Sequence, residues 1–179
     1  MTIIKLDNPI TDTYKEFKSF VSSPDFPWFW ESSSTYGEER EGHNDHGYYT
    51  HAFLKKPGQS DLRGVKWFSQ ATSSYIDHAH QVAFEIFEQN NIDAQVIYRI
   101  SANCEHPTQD GLPDLPHYDH SFPHENILIY LNDPHEGYTV VEEEKYLGKE
   151  DEVILFNGLH YNFPPIKDRR LVIVITFLR

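Results

Sequence analysis

The chain has 179 residues, with 15 Lys+Arg against 28 Asp+Glu for a formal charge of −13, and 11 histidines beside a single cysteine, Cys104. That length suits one domain able to bury roughly 70% of its unfolded surface, and 24% charged with 15% aromatic residues is a globular composition, not a disordered one. One cysteine excludes a disulfide framework and Cys-rich zinc modules, and the acidic balance argues against a nucleic-acid partner, whose affinity rests on Lys and Arg neutralising phosphates.

The N-terminal Met1-Thr2-Ile3-Ile4-Lys5-Leu6-Asp7 lacks the basic and long apolar regions of a signal peptide. The longest apolar run, Leu171 to Ile175 continued by Thr176-Phe177-Leu178, is too short to cross a bilayer. The expectation is a cytoplasmic protein without a membrane partner. Thr13 and Glu16 have the spacing of a capping box, and Tyr14, Phe17, Phe20 and Val21 follow at helical spacing until Pro24. Phe26-Pro27-Trp28-Phe29-Trp30 reads as a core plug under a loop, and Tyr48 to Phe53 as a strand. A second helix carries Ile76, Ala79, Val82, Ala83, Ile86 and Phe87 on one stripe and stops at Asn90-Asn91.

After residue 92 the period changes. Short β-rich runs at 94–101, 126–131, 138–141, 153–156 and 170–178 are punctuated by turns such as Asn132-Asp133-Pro134 and Asn157-Gly158. No long repeat appears. The fold class is α+β: an antiparallel sandwich or barrel, jelly roll included, with the N-terminal helices packed on the sheet. Two helices alone could not bury their stripes. Residues 1–179 are therefore read as one domain, a helical and aromatic buttress (1–92) on a β core (93–179).

The chemistry concentrates in Pro116 to His124, Pro-His-Tyr-Asp-His-Ser-Phe-Pro-His. On an extended segment His117 and Asp119 point to the same side, so an imidazole and a carboxylate converge. His160, after the strand-and-turn unit 153–159, offers a third ligand. Two His and one carboxylate on one face suit Fe(II) and leave three coordination positions open. Arg170 begins the last strand on the face of Val172, Val174 and Thr176, awkward for a cation unless an anion meets it. A dicarboxylate cosubstrate would be held there by a bidentate fork that lysine could not match. Arg169 faces the other way.

Other groups have plainer readings. His120 and His124 would join His117 in a zinc site only on a helix, which Pro116 and Pro123 oppose; they are read as a polar rim of the cleft. His43, His46 and His51 are read as solvated, and the acidic runs Glu142–Glu144 and Glu150–Glu152 as solvated strand connections. Phosphate-loop, His-Glu-x-x-His and Gly-x-Ser-x-Gly motifs do not occur.

His117-Tyr118-Asp119, then His160, then Arg170 ten residues on resembles the His-x-Asp … His … Arg/Lys pattern of 2-oxoglutarate/Fe(II) dioxygenases. Ile129-Tyr130-Leu131-Asn132 is similar to a strand end of the prolyl-hydroxylase-like branch. Tyr98-Arg99-Ile100-Ser101-Ala102-Asn103 and Gly137-Tyr138-Thr139 resemble segments of its small, often phage-encoded members. The resemblance covers roughly residues 94–179. It implies a double-stranded β-helix in which His117, Asp119 and His160 bind Fe(II). Arg170 would salt-bridge the distal carboxylate of 2-oxoglutarate, Tyr130 would donate a hydroxyl hydrogen bond to it, and Asn103 would be a second cosubstrate contact. It further implies consumption of O2, release of succinate and CO2, and hydroxylation of a prime substrate, a small molecule or protein side chain. The chain departs from the pattern at Glu136-Gly137, where Gly-Gly is common, and in a long lead from Cys104 to Pro116. The competing reading is a non-catalytic, cupin-like metal-binding or structural jelly roll.

Overall fold

The computed structural model of the protein describes residues 3–33, 35, 40–57 and 68–179. In chain order these form β1 (Ile4–Leu6), α1 (Asp12–Ser22), β2 (Phe29–Glu31), β3 (Tyr48–Lys55), β4 (Gln70–Ala71), α2 (Ile76–Gln89), β5 (Val96–Glu105), β6 (Glu125–Tyr130), β7 (Thr139–Val141), β8 (Glu144–Tyr146), β9 (Val153–Phe156), β10 (His160–Asn162) and β11 (Arg170–Leu178). The large sheet runs β1-β9-β6-β11-β5-β3-β2, with β4 on β3, and a small sheet runs β10-β7-β8. All named strand pairings are antiparallel.

Period-two alternation divides the large sheet into a dry face and a site face. On β11, Leu171, Ile173, Ile175 and Phe177 join one core with Ile127 and Ile129 of β6 and the buried stripes of both helices. The alternate residues Val172 and Val174 pack with Leu128, Ile154, Phe156 and Val141 between the two sheets. α1 buries Tyr14, Phe17 and Val21, and α2 buries Ala79, Val82, Ala83, Ile86 and Phe87, as the stripes predict. Asn91 closes α2 at φ 53°, the left-handed conformation asparagine tolerates.

Several local expectations are corrected. The cap of α1 is Thr11, not Thr13: its Oγ1 accepts from the Tyr14 N–H at 3.1 Å and donates to Glu85 of α2, because the chain enters the helix through Ile10 at φ 49°. The aromatic run splits. Phe26 is buried, whereas Phe29 and Trp30 lie 60% and 58% exposed on the edge strand β2. The first half also supplies β1 to β4, so the large sheet is not confined to the later residues. His51 is buried, its ring nitrogens against the Pro27 carbonyl and the Ser73 hydroxyl. The second acidic run is a clasp: Asp151 receives Lys18 at 2.6 Å and the Tyr14 hydroxyl at 2.6 Å, tying α1 to the turn before β9.

Replacing Ile86 by Ala empties space between α2 and the sheet and should cost about 2–5 kcal/mol. Thr11→Ala, which removes the cap and the hydroxyl's bond to Glu85, should cost about 1–2 kcal/mol. Urea denaturation followed by circular dichroism measures both.

Candidate functional site

A cavity of about 190 Å3 opens between the sheets. β11 supplies Arg170, Val172 and Val174 to it, and β5 supplies Arg99, Ser101, Asn103 and Glu105, all of one strand parity. Arg170 is 1% exposed, and Arg residues are almost never buried without partners. Its Nη1 donates to Glu105 Oε1 at 2.8 Å, and its Nη2 to Thr139 Oγ1 at 2.8 Å and Asn162 Oδ1 at 3.1 Å. Arg169 turns away and donates to the Ser22 carbonyl. Gly137 makes room for the Arg170 stem: a Cβ there would lie 2.9 Å from Arg170 Cδ and 2.8 Å from the Pro134 carbonyl oxygen.

His117, Asp119 and His160 converge, with one ligand atom of each within 4.8 Å of the others. No other such group of His, Cys, Asp and Glu occurs among the described residues. Backbone pairing brings the two histidines together, since each N–H donates to the other's carbonyl at 2.9 and 3.0 Å. Gly158 sets up the approach at φ 118°, and a Cβ there would meet Glu142 Oε1 at 2.6 Å. That same oxygen accepts from the Leu159 N–H, fixing the turn.

The ring orientations are set from behind. Nδ1 of His117 donates to the Leu115 carbonyl and Nδ1 of His160 to the Gly158 carbonyl, both at 3.1 Å, which turns each Nε2 towards the site. Arg99 Nη1 donates to Asp119 Oδ1 at 2.7 Å, while Oδ2 lies 3.4 Å from His160 Nε2. A proton on Nε2 bridges that approach, and a divalent metal in its place would be met by both atoms and by His117. Burial would raise the Asp119 carboxyl, but His160 and the Arg99 guanidinium outweigh it and hold the group well below the usual carboxylate range. Burial, reinforced by His160, pushes His117 down to about 4. Two imidazoles and a carboxylate form a donor set that fits Fe(II).

Of the remaining predicted residues, Asn103 lines the cavity, with its Oδ1 accepting from the Thr50 hydroxyl at 2.9 Å. Tyr130 is 0% exposed, and its hydroxyl meets Thr139 Oγ1 at 2.8 Å, one step behind Arg170. Thr139 therefore presents the hydroxyl to the cavity. His120 is outside the triad and bonded to the Thr176 hydroxyl, and His124 rests on the Phe122 carbonyl. His46 is held between Asp110 and Asp114. Sequence reasoning missed Arg99, Glu105, Thr139 and Asn162. Arg99 and Glu105 carry a signal of their own: charges on a strand otherwise like the core, at the parity of Ser101 and Asn103. Lys56, also missed, reaches the Asp119 carbonyl at 3.2 Å.

The fold is the double-stranded β-helix of the 2-oxoglutarate/Fe(II) oxygenases. No protein-family model matches the chain, and no curated protein matches it in sequence. Among solved structures, a 2-oxoglutarate/Fe(II) oxygenase-family oxidoreductase from Burkholderia pseudomallei is similar at 11% identity, TM-score 0.67, over 98% of this chain and 84% of that one. A prolyl-4-hydroxylase from Pseudomonas putida is similar at 14% identity, TM-score 0.52, over 99% and 92%. A prolyl hydroxylase from Trichoplax adhaerens, solved with a peptide of the hypoxia-inducible factor oxygen degradation domain, is similar at 13% identity, TM-score 0.52, over 98% and 83%. Among the described residues no helix is long and apolar enough to cross a membrane.

The buried histidines make a signed prediction. His117 and His120 are both pushed down to about 4, chiefly by burial, whereas the unfolded chain takes up these protons near the ordinary value of about 6.5. On account of these two groups the unfolded state binds more protons, so their contribution to stability falls as pH drops from about 6.5 towards 4, while Glu105 and Asp114, both pushed up by burial, work in the opposite direction. His46 shifts upward through its hydrogen bond to Asp114, so its contribution is full below about 6.5 and fades only at higher pH, outside this window. Urea midpoints of the metal-free protein measure this: relative to its value at pH 7, the midpoint of His120→Gln should drop less across the acid window than that of the wild type.

Proposed function

We propose that this protein is an Fe(II)- and 2-oxoglutarate-dependent dioxygenase, working as a single domain, that hydroxylates a prime substrate with release of succinate and CO2. The observation that carries the reading is the shared cavity: a His-Asp-His ligand set at one place and a fully buried, hydrogen-bonded guanidinium at another. A jelly roll kept only as scaffold has no use for a buried cation whose partners line a cavity, since burying a charge is costly. Fe(II) held by His117, Asp119 and His160 would let O2 act as the oxidant, with two electrons taken from 2-oxoglutarate as it becomes succinate and CO2 and two from the substrate.

The chain's own residues do the rest. Arg99 occupies Asp119 Oδ1 and leaves Oδ2 for the metal. The Leu115 and Gly158 carbonyls hold the imidazole rings in register. Arg170 receives the distal carboxylate of 2-oxoglutarate, with Thr139 and, behind it, Tyr130 orienting the guanidinium; Asn103 lies on the adjacent wall. Leu128, Phe156, Val172 and Val174 give the cavity its apolar wall, with the Phe156 ring against His160. The substrate is a small molecule or a protein side chain, as in the similar prolyl hydroxylase solved with a peptide. We place the protein in the cytoplasm, where Fe(II) and the buried Cys104 thiol, pushed up to about 11 by burial, stay reduced.

Purified protein should convert 2-oxoglutarate to succinate only with Fe(II) and O2 present. His117→Ala and Asp119→Ala should abolish iron binding. Arg170→Lys should bind iron normally yet raise the KM for 2-oxoglutarate at least about tenfold, because the bidentate fork is lost. Normal iron binding after loss of both His117 and His160 would overturn the site, and succinate production unaffected at Arg170→Lys would overturn the clamp.

A further inference from the structure

The ion pair beside the cavity is incomplete. Glu105 Oε1 accepts from Arg170 Nη1 at 2.8 Å and from Asn162 Nδ2 at 3.4 Å. Glu105 Oε2 and Arg170 Nε are buried and have no hydrogen-bond partner. Both residues line the cavity. A buried polar atom without a partner costs about 1–3 kcal/mol, so the Glu105–Arg170 pair is left under-satisfied at the wall of the cavity. On the function proposed above, the group arriving at Arg170 is a carboxylate, and it meets a carboxylate already on the fork. Two carboxylates sharing one site push the pKa of one of them upward.

We infer that Glu105 is protonated when 2-oxoglutarate docks, donating a hydrogen bond from Oε2 to the distal carboxylate, so that cosubstrate binding takes up one proton. The proton comes from solvent, no covalent bond is made or broken, and Oε1 remains an acceptor for Arg170 as a carbonyl oxygen. The inference rests on the oxygenase reading and adds to it a residue and a proton.

The surroundings supply a carboxyl ready for this role. Facing Glu105 are Arg170 from β11, Tyr130 from β6, Tyr48 from β3, Asn162 from β10, and Asp114 and His46 from the loops. Burial pushes the Glu105 carboxyl up to about 7; Arg170 and His46 pull it down and Asp114 pushes it up. An incoming dianion adds a further upward push, so bound Glu105 stays protonated where free Glu105 has begun to ionise. The sign follows: the protonated form binds, so affinity is full below about pH 7 and is lost as pH rises beyond it.

Titration calorimetry of the Mn(II)-loaded protein with 2-oxoglutarate, in two buffers of different ionisation enthalpy at each pH, tests this directly. The wild type should take up a fraction of a proton that grows from near zero at about pH 6 towards one at about pH 8.5, with Kd rising up to about tenfold per pH unit above 7. Glu105→Gln, whose amide donates from the same place without titrating, should bind with no uptake and a pH-independent Kd. Equal heats in both buffers at high pH for the wild type, which needs no variant to fold, would overturn the inference while leaving the oxygenase reading standing. Uptake retained in Glu105→Gln would overturn it too. No binding of 2-oxoglutarate at any pH would overturn both.

Discussion

A guanidinium with 1% of its surface exposed is the constraint on which the site depends. Burying that charge is costly unless hydrogen bonds and a counter-charge surround it. Arg170 therefore gathers groups from three strands besides its own: Glu105 from β5, Thr139 from β7 and Asn162 from β10. Those strands belong to both sheets, so the buried cation ties the two sheets together at one place. The same alternation that turns Arg170 inward turns Leu171, Ile173, Ile175 and Phe177 outward onto the helices. One residue of slip in β11 would exchange the two faces. Core and site are thus fixed by a single register.

The His117-Asp119-His160 end is organised on the opposite principle. Its cations stand to one side, Arg99 on the far oxygen of Asp119 and Lys56 on the Asp119 carbonyl. Two backbone carbonyls hold the proton on the far nitrogen of each ring, and a two-residue bridge joins the histidine backbones. The rings are thus satisfied behind the site, and each Nε2 is turned towards it. Residues without any part in the chemistry decide this geometry: Gly158 through its φ, Glu142 through the Leu159 N–H, and Gly137 by yielding space to Arg170.

The legible parts of the sequence were those governed by period and spacing. The stripes of Tyr14, Phe17 and Val21 and of Ile76 to Phe87 predict two helices packed on a sheet, and His117, Asp119 and His160 predict one cluster; the structure has both. Arg170 was separable from Arg169 by strand parity alone. Less legible was whatever depends on contacts remote in sequence. Glu105 and Arg99 read as ordinary strand charges until β11 and the Asp119 loop lie against them. His51 reads as solvated because nothing local shows that Pro27 and Ser73 meet it. Thr11 outcompetes Thr13 as cap because the chain turns at Ile10, a backbone strain that composition does not reveal. The edge strands β2, β4, β8 and β10 are too short for periodicity to register.

The central claim is that metal and keto acid share one cavity, each held by the residues named. Crystals grown anaerobically with Fe(II) and 2-oxoglutarate, measured on both sides of the iron absorption edge, test it most directly. The account predicts one anomalous peak bonded to His117 Nε2, an Asp119 oxygen and His160 Nε2, with the distal carboxylate of the acid on Arg170. A peak held by other residues, or an acid bound away from Arg170, would contradict it.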